Sequence, residues 1–309
     1  MRHSAFLAAA AVSFVSVHAL ADGSRAWSAA RAGLPSDAKL VVGVDVAAAQ
    51  KTQLFATYFP KLLGKADATK LVDVLKATCK IDPLVAVQGI VVATTADQDD
   101  GAAYIALSGL DKAKLSSCVQ LTVQGKVDPS VKVSLRQNGN ITEVFDGKDS
   151  TFFGWVGKDV VVVPLHAQDK TALAKWMGGQ GGLAKSALGK ALARVNTAAV
   201  LWGAGEANKE LQPGLTMTRG YGAVTYAKGT LGADVHAVMA TAAQATTMAS
   251  DTNKQIAEAK QGMVPATVAG VLNALTVASA NDEVVIKANL IETEVIGLLG
   301  FALAGVGGL

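Results

Sequence analysis

The sequence predicts an α+β protein with antiparallel, curved sheets and helices packed on one face, in two similar halves. Three observations predict it. Short β-rich runs recur in pairs about two-residue turns, as hairpins do. Apolar stripes at helical spacing lie between those pairs. Hairpin turns outnumber strand–helix–strand crossovers, which disfavours a purely parallel sheet. The 309 residues are 50% hydrophobic and 17% charged, with a mean hydropathy of +0.33. Such a chain is too apolar to stay disordered, and it is long enough for one large domain or two ordinary ones.

Residues 1–21 read as a secretory signal peptide. Arg2 and His3 form a positive start, Ala5–Val17 is an uncharged apolar run, and Ala19-Leu20-Ala21 is a small-x-small cleavage site. Cleavage before Asp22 leaves 27 basic against 25 acidic residues, a net charge of +2. Spread along the chain, that charge offers no basic stripe for a nucleic acid. The expected home is periplasmic or extracellular. In such an oxidising compartment an even pair of cysteines, Cys79 and Cys118, reads as a disulfide, with two buried thiols as the alternative. Closing about 40 residues, the bridge would contribute roughly 4 kcal/mol in the chain-entropy view.

Residues 22–37 form a polar, Ala-rich lead-in, followed by a strand at Lys39–Val46. Leu54, Phe55, Tyr58, Phe59, Leu62 and Leu63 then make one apolar helical stripe, with Pro60 inside it as a kink or a break. A second helix carries Leu71, Val74, Leu75 and Thr78 and stops at Lys80-Ile81-Asp82-Pro83. Val85–Thr94 and Ala102–Ser108 pair about an acidic loop, and a short helix spans Asp111–Gln120. Val131–Arg136 and Ile141–Phe145 flank Asn138-Gly139, a strong hairpin signal. Thr151–Val156 and Asp159–Leu165 pair about Gly157-Lys158, and a helix follows at Thr171–Met177. The glycine-rich run 178–182 is the expected flexible boundary between an N-terminal half, 22–180, and a C-terminal half, 181–309.

The second half repeats the vocabulary, as an internal duplication would. A helix at Leu183–Arg194 precedes a strand at Ala198–Gly203. Tyr221–Tyr226 and Leu231–Met239 pair about Lys228-Gly229. Helices run over Ala242–Gln261 and from Pro265 through Val271 and Leu272. Leu275–Ser279 and Glu283–Leu290 form a last hairpin about Asn281-Asp282. Val295–Leu309 carries no charge and five glycines. As a helix it would reach about 22 Å, short of a bilayer's roughly 30 Å core. It reads as a docked terminal helix using Ile296, Leu299 and Leu303, with a peripheral membrane-touching or partner-binding tail as the alternative.

Catalytic and cofactor signals are sparse. His166 and His236 lie in apolar runs with no metal-ligand spacing, and no G-x-S-x-G elbow exists. Gly182–Ser186 and Leu188–Ala191 lack phosphate-loop spacing, and Gly203-Ala204-Gly205 is only a fragment of a dinucleotide fingerprint. Asp97, Asp99 and Asp100 lack the calcium-loop pattern and read as a solvated turn. No catalytic residue, metal or cofactor is therefore assigned. The first expectation is a non-enzymatic exported binding or structural protein. A carrier of an apolar ligand such as a lipid comes second, its groove lined by Leu54, Phe55, Tyr58, Phe59 and Leu62 between a concave sheet and the two early helices. A hydrolase using His166 or His236 comes third.

One segment resembles a family. Cys79-Lys80-Ile81-Asp82-Pro83, Gly89–Ala93, Tyr104–Leu107, Gly109-Leu110-Asp111 and Cys118, with the strand Val41–Val46, are similar to uncharacterised exported proteins of myxobacterial type. The resemblance spans about residues 34–205. It implies an extracytoplasmic α+β fold and offers no catalytic residues to transfer.

Overall fold

The computed structural model describes residues 23–63, 66–96, 100–125, 130–165, 169–179, 181–262 and 264–305. The expected signal peptide lies outside them. The longer helices are α1 (Gly23–Gly33), α2 (Gln53–Leu63), α3 (Ala66–Cys79), α4 (Lys112–Gln124), α5 (Lys170–Met177), α6 (Ala242–Gln261), α7 (Ala266–Ala274) and α8 (Glu292–Gly305). Two compact units form. The first holds Ala21–Ala47 and Leu62–Lys190; the second holds Ala48–Lys61 and Ala191–Leu309.

In the first unit an antiparallel sheet runs in the order β1-β2-β3-β7-β6-β5-β4. Its strands are β1 (Leu40–Asp45), β2 (Val87–Thr94), β3 (Gly101–Leu107), β4 (Ser134–Asn138), β5 (Ile141–Phe145), β6 (Ser150–Val156) and β7 (Val160–Pro164). The turns fall where the sequence places them, with Gly139 at φ 61° and Gly157 at φ 66°. Residues directly opposite each other share a face. Val91, Tyr104 and Val162 therefore look one way, and Ile90, Ile105 and Val161 the other.

Helices cover both of these faces, which corrects the expectation of helices on one face only. On the first face, α1 and α5 bury Ala26, Ala30, Leu173 and Trp176, and the Tyr104 hydroxyl donates to the Trp176 carbonyl. On the second, α3 and α4 meet Val144, Phe153, Trp155 and Val161. The cause is compositional. β3 and β7 are apolar almost throughout, so either face left uncovered would have exposed a row of Val and Ala.

Two further segments differ from expectation. The Ala-rich lead-in contains α1, whose alanines pack at close range. The glycine run after α5 is fastened to it, because the Gly179 amide donates to the Gly33 carbonyl at 2.8 Å and that of Gly181 to Ala32 at 3.0 Å. A Cβ on Gly179 would sit 2.3 Å from the Leu34 carbonyl oxygen. Glycine serves close approach there and does not make a loose linker.

The second unit has an antiparallel sheet in the order β11-β12-β10-β9-β8. Its strands are β8 (Leu201–Gln212), β9 (Leu215–Ala227), β10 (Thr230–Met239), β11 (Leu275–Ala280) and β12 (Glu283–Ile291). Lys228 (φ 50°) and Gly229 (φ 78°) turn one hairpin, and Asn281 (φ 55°) turns another. β8 and β9 run on as a polar ribbon well past the expected strands. Here the helices do share one face. α6 packs Ala245 and Ala249 on Met239 and Val284, while α7 and α8 pack Val271 and Val295 on Leu231, Ala288 and Leu290. α2 continues through Pro60 unbroken to Leu63.

Candidate functional site

Two arrangements in the second unit carry its concentrated chemistry. The first lies on the sheet face that the helices leave. Register builds it: His236 of β10 stands opposite Tyr221 of β9, and Glu283 opens β12 opposite Val238. The Tyr221 and His236 rings stack with centroids 4.6 Å apart and planes 7° off parallel. Glu283 is buried. Its Oε2 accepts from the Tyr221 hydroxyl at 2.9 Å and from Arg194 Nη2 at 2.9 Å, and it lies 3.1 Å from His236 Nδ1. Arg194 Nη1 reaches Oε1, and the guanidinium sits 4.8 Å over the Tyr221 ring.

Burial alone would raise the Glu283 pKa. The hydrogen bonds from Arg194, Tyr221 and His236, with the Arg194 charge, outweigh it and hold the carboxyl below its ordinary value. Burial, and then the same carboxylate, push the Tyr221 phenol up. Asp234 pairs with Lys287 at 3.2 Å. Its Oδ1 lies 3.1 Å from His236 Nε2 but receives no hydrogen bond, so that contact is one of proximity only. Both ring nitrogens of His236 thus face carboxylates, and the Tyr221 hydroxyl shares one of them. Chemically this is a tie that holds the Arg194 segment against the sheet.

The second arrangement is apolar. Thr52 caps α2, its Oγ1 accepting from the Phe55 amide at 3.0 Å. Glu292, buried at the start of α8, accepts from the Leu54 amide at 2.7 Å and from the Tyr226 hydroxyl at 2.7 Å. That bond, more than burial, raises the Tyr226 phenol's pKa. The Tyr58 hydroxyl donates to the Ile296 carbonyl at 2.7 Å. α2 and α8 are therefore bolted together by polar atoms. The apolar stripe is less well served: Phe55 and Phe59 stack at 4.3 Å, yet Leu54, Phe55, Tyr58 and Phe59 all stay partly exposed. Ile291, beside the start of α8, is 55% exposed.

Of the expected groove residues, the side chain of Leu62 lies outside the described residues. The pairing is also corrected: α8 partners α2, whereas α3, expected to form the other wall, belongs to the first unit. Of the expected docking residues Ile296, Leu299 and Leu303, Leu299 packs in the core cluster beside Val295 and Leu298, and Ile296 is half-buried outside that cluster. The Leu303 side chain and residues 306–309 lie outside the described set. Among the described residues no helix is long and apolar enough to cross a membrane.

Elsewhere, Cys79 and Cys118 form the expected disulfide, with Cα atoms 5.1 Å apart, joining α3 to α4. Asp100 corrects the solvated-turn reading. It accepts from Lys175 Nζ at 2.7 Å and Trp176 Nε1 at 2.6 Å, tying the β2–β3 hairpin to α5. Burial opposes its charge, and those donors overcome the opposition and lower its pKa. Asp97, Asp99 and His166 lie outside the described residues. Sequence reasoning missed Arg194, Tyr221, Glu283 and Glu292, because only strand register and long-range packing bring them together.

No family model and no curated protein matches the chain. Among solved structures, crystal form III of TP0453 has a TM-score of 0.48 at 9% identity, covering 88% of this chain and 96% of that one. Crystal form IV of TP0453 has a TM-score of 0.45 at 10% identity, covering 87% and 95% respectively.

Proposed function

We propose that this is an exported, non-enzymatic binding protein that takes an apolar ligand on the paired helices α2 and α8. One observation carries the reading. The helical aromatic stripe Leu54-Phe55 and Tyr58-Phe59 is fixed in place by three hydrogen bonds and yet is not enclosed. Structural apolar helices normally sink such side chains into a core, whereas binding surfaces keep them accessible. The Cys79–Cys118 bridge supports an oxidising destination. The strands of the two units follow a similar plan, a three-strand meander whose third strand later receives the last strand of a following antiparallel run, four strands long in one unit and two in the other. That plan supports descent from one duplicated unit.

The test is native mass spectrometry with solvent extraction of protein purified from its own envelope, followed by titration with the fluorescent fatty acid cis-parinaric acid. A bound apolar molecule, and probe binding weakened at least tenfold in Phe55→Ser/Phe59→Ser, are expected. An empty protein that ignores the probe would sink the proposal.

A further inference from the structure

We infer that the α2–α8 surface docks on an anionic lipid bilayer, from which its ligand is drawn; this rests on the apolar-ligand reading above. The argument is charge placed around an apolar, aromatic face. From Val46 to Ala66 the sequence holds three lysines, Lys51, Lys61 and Lys65, and no acid. Lys51 and Lys61 are exposed on either side of the Phe55–Phe59 stripe. Lys61 Nζ lies 5.0 Å over the Tyr58 ring, so its stem runs along apolar surface while its charge stays at the edge.

The first acid of α8 is already committed. Glu292 is buried and bonded to Leu54 and Tyr226, and Glu294 lies against α7, its carboxylate crowding Gly270. Beyond Glu294 no charge occurs through Leu309. Part-exposed Phe and Tyr on one helix, with exposed lysines before and after them, make the pattern of a helix that lies in the headgroup region. A neutral apolar ligand in solution would need the aromatics and would gain nothing from the lysines. An anionic surface uses both.

The test is co-sedimentation of the full mature chain with vesicles of phosphatidylglycerol and phosphatidylcholine, against vesicles of phosphatidylcholine alone. Binding should favour the anionic vesicles and fall with added salt. Each lysine near such a surface is worth roughly fivefold in affinity, so Lys51→Glu/Lys61→Glu should lose more than about twentyfold. Both positions are exposed and the double variant should fold; circular dichroism checks this. Retained cis-parinaric acid binding in that variant, with vesicle binding gone, is the expected combination. Parinaric acid binding without any vesicle binding in the unmodified protein overturns the membrane inference alone. Equal binding to both vesicle types, or anionic binding untouched by the lysine changes, overturns it as well. Absence of both probe and vesicle binding in the unmodified protein overturns this inference and the apolar-ligand reading together.

Discussion

Replacing Glu283 by Gln keeps its shape and removes its charge. The wild-type carboxylate faces three donors, from Arg194, Tyr221 and His236. A hydrogen bond to a buried charged acceptor contributes about 1.5–3 kcal/mol. The Arg194 side chain is 54% exposed, so its share is discounted to at most about 1 kcal/mol by solvent screening. The amide can still accept one donor through its oxygen, but it turns an NH2 toward the others. The expected loss is about 3 kcal/mol, a large part of a typical 5–15 kcal/mol stability. Urea unfolding followed by circular dichroism measures it, and hydrogen exchange at β10 and β12 confirms that the second unit is affected. The pH dependence has a defined sign. Glu283's folded-state pKa is depressed, so its stabilisation is present above the unfolded value of about 4.3 and is lost as pH falls through the folded value. The gap between wild type and Glu283→Gln should be flat near neutrality and close in acid. A loss under about 1 kcal/mol, or a gap that persists undiminished in strong acid, would refute the reasoning.

Two other outcomes test the frame around the site. Cys79→Ser/Cys118→Ser should destabilise the first unit by about 4 kcal/mol, read as an earlier urea midpoint matched by reduced wild type. Glu292→Ala should cost about 2–4 kcal/mol by stranding the Leu54 amide and the Tyr226 hydroxyl, and it should speed hydrogen exchange in α2 ahead of β8 to β12.

The hairpins were legible because their turns demand particular residues: Gly139, Gly157, Gly229 and Asn281 all sit at positive φ. α6 falls where the sequence places a helix, over Ala242–Gln261. α1 was not, because its buried positions are Ala26, Ala29 and Ala30, and alanine scarcely differs in hydropathy from the small polar residues around it. The β8–β9 ribbon past Gly205 was also hidden. On its β8 arm Ala207–Glu210 are exposed on both faces, so no alternation marks them. The His236 cluster gathers residues 194, 221, 234, 236 and 283, an assembly that only the pairing register specifies. The α2 stripe was visible in full, but its partner was not, since Glu292 looks like any acid at the start of a helix.

The bonds that fasten α2 also set a timetable. Leu54 and Tyr58 find their partners 238 residues further along the chain. At a synthesis rate of about 5–20 residues per second, that gap is roughly ten to fifty seconds. Over that interval the Leu54–Phe59 stripe is already made while Glu292 and Ile296 are not. The strands and helices between residues 62 and 190 can close on one another meanwhile, because their contacts lie within that span and the segment before it. α2 is thus the part of the newborn chain with the longest wait, and the segment a holding chaperone should be found on.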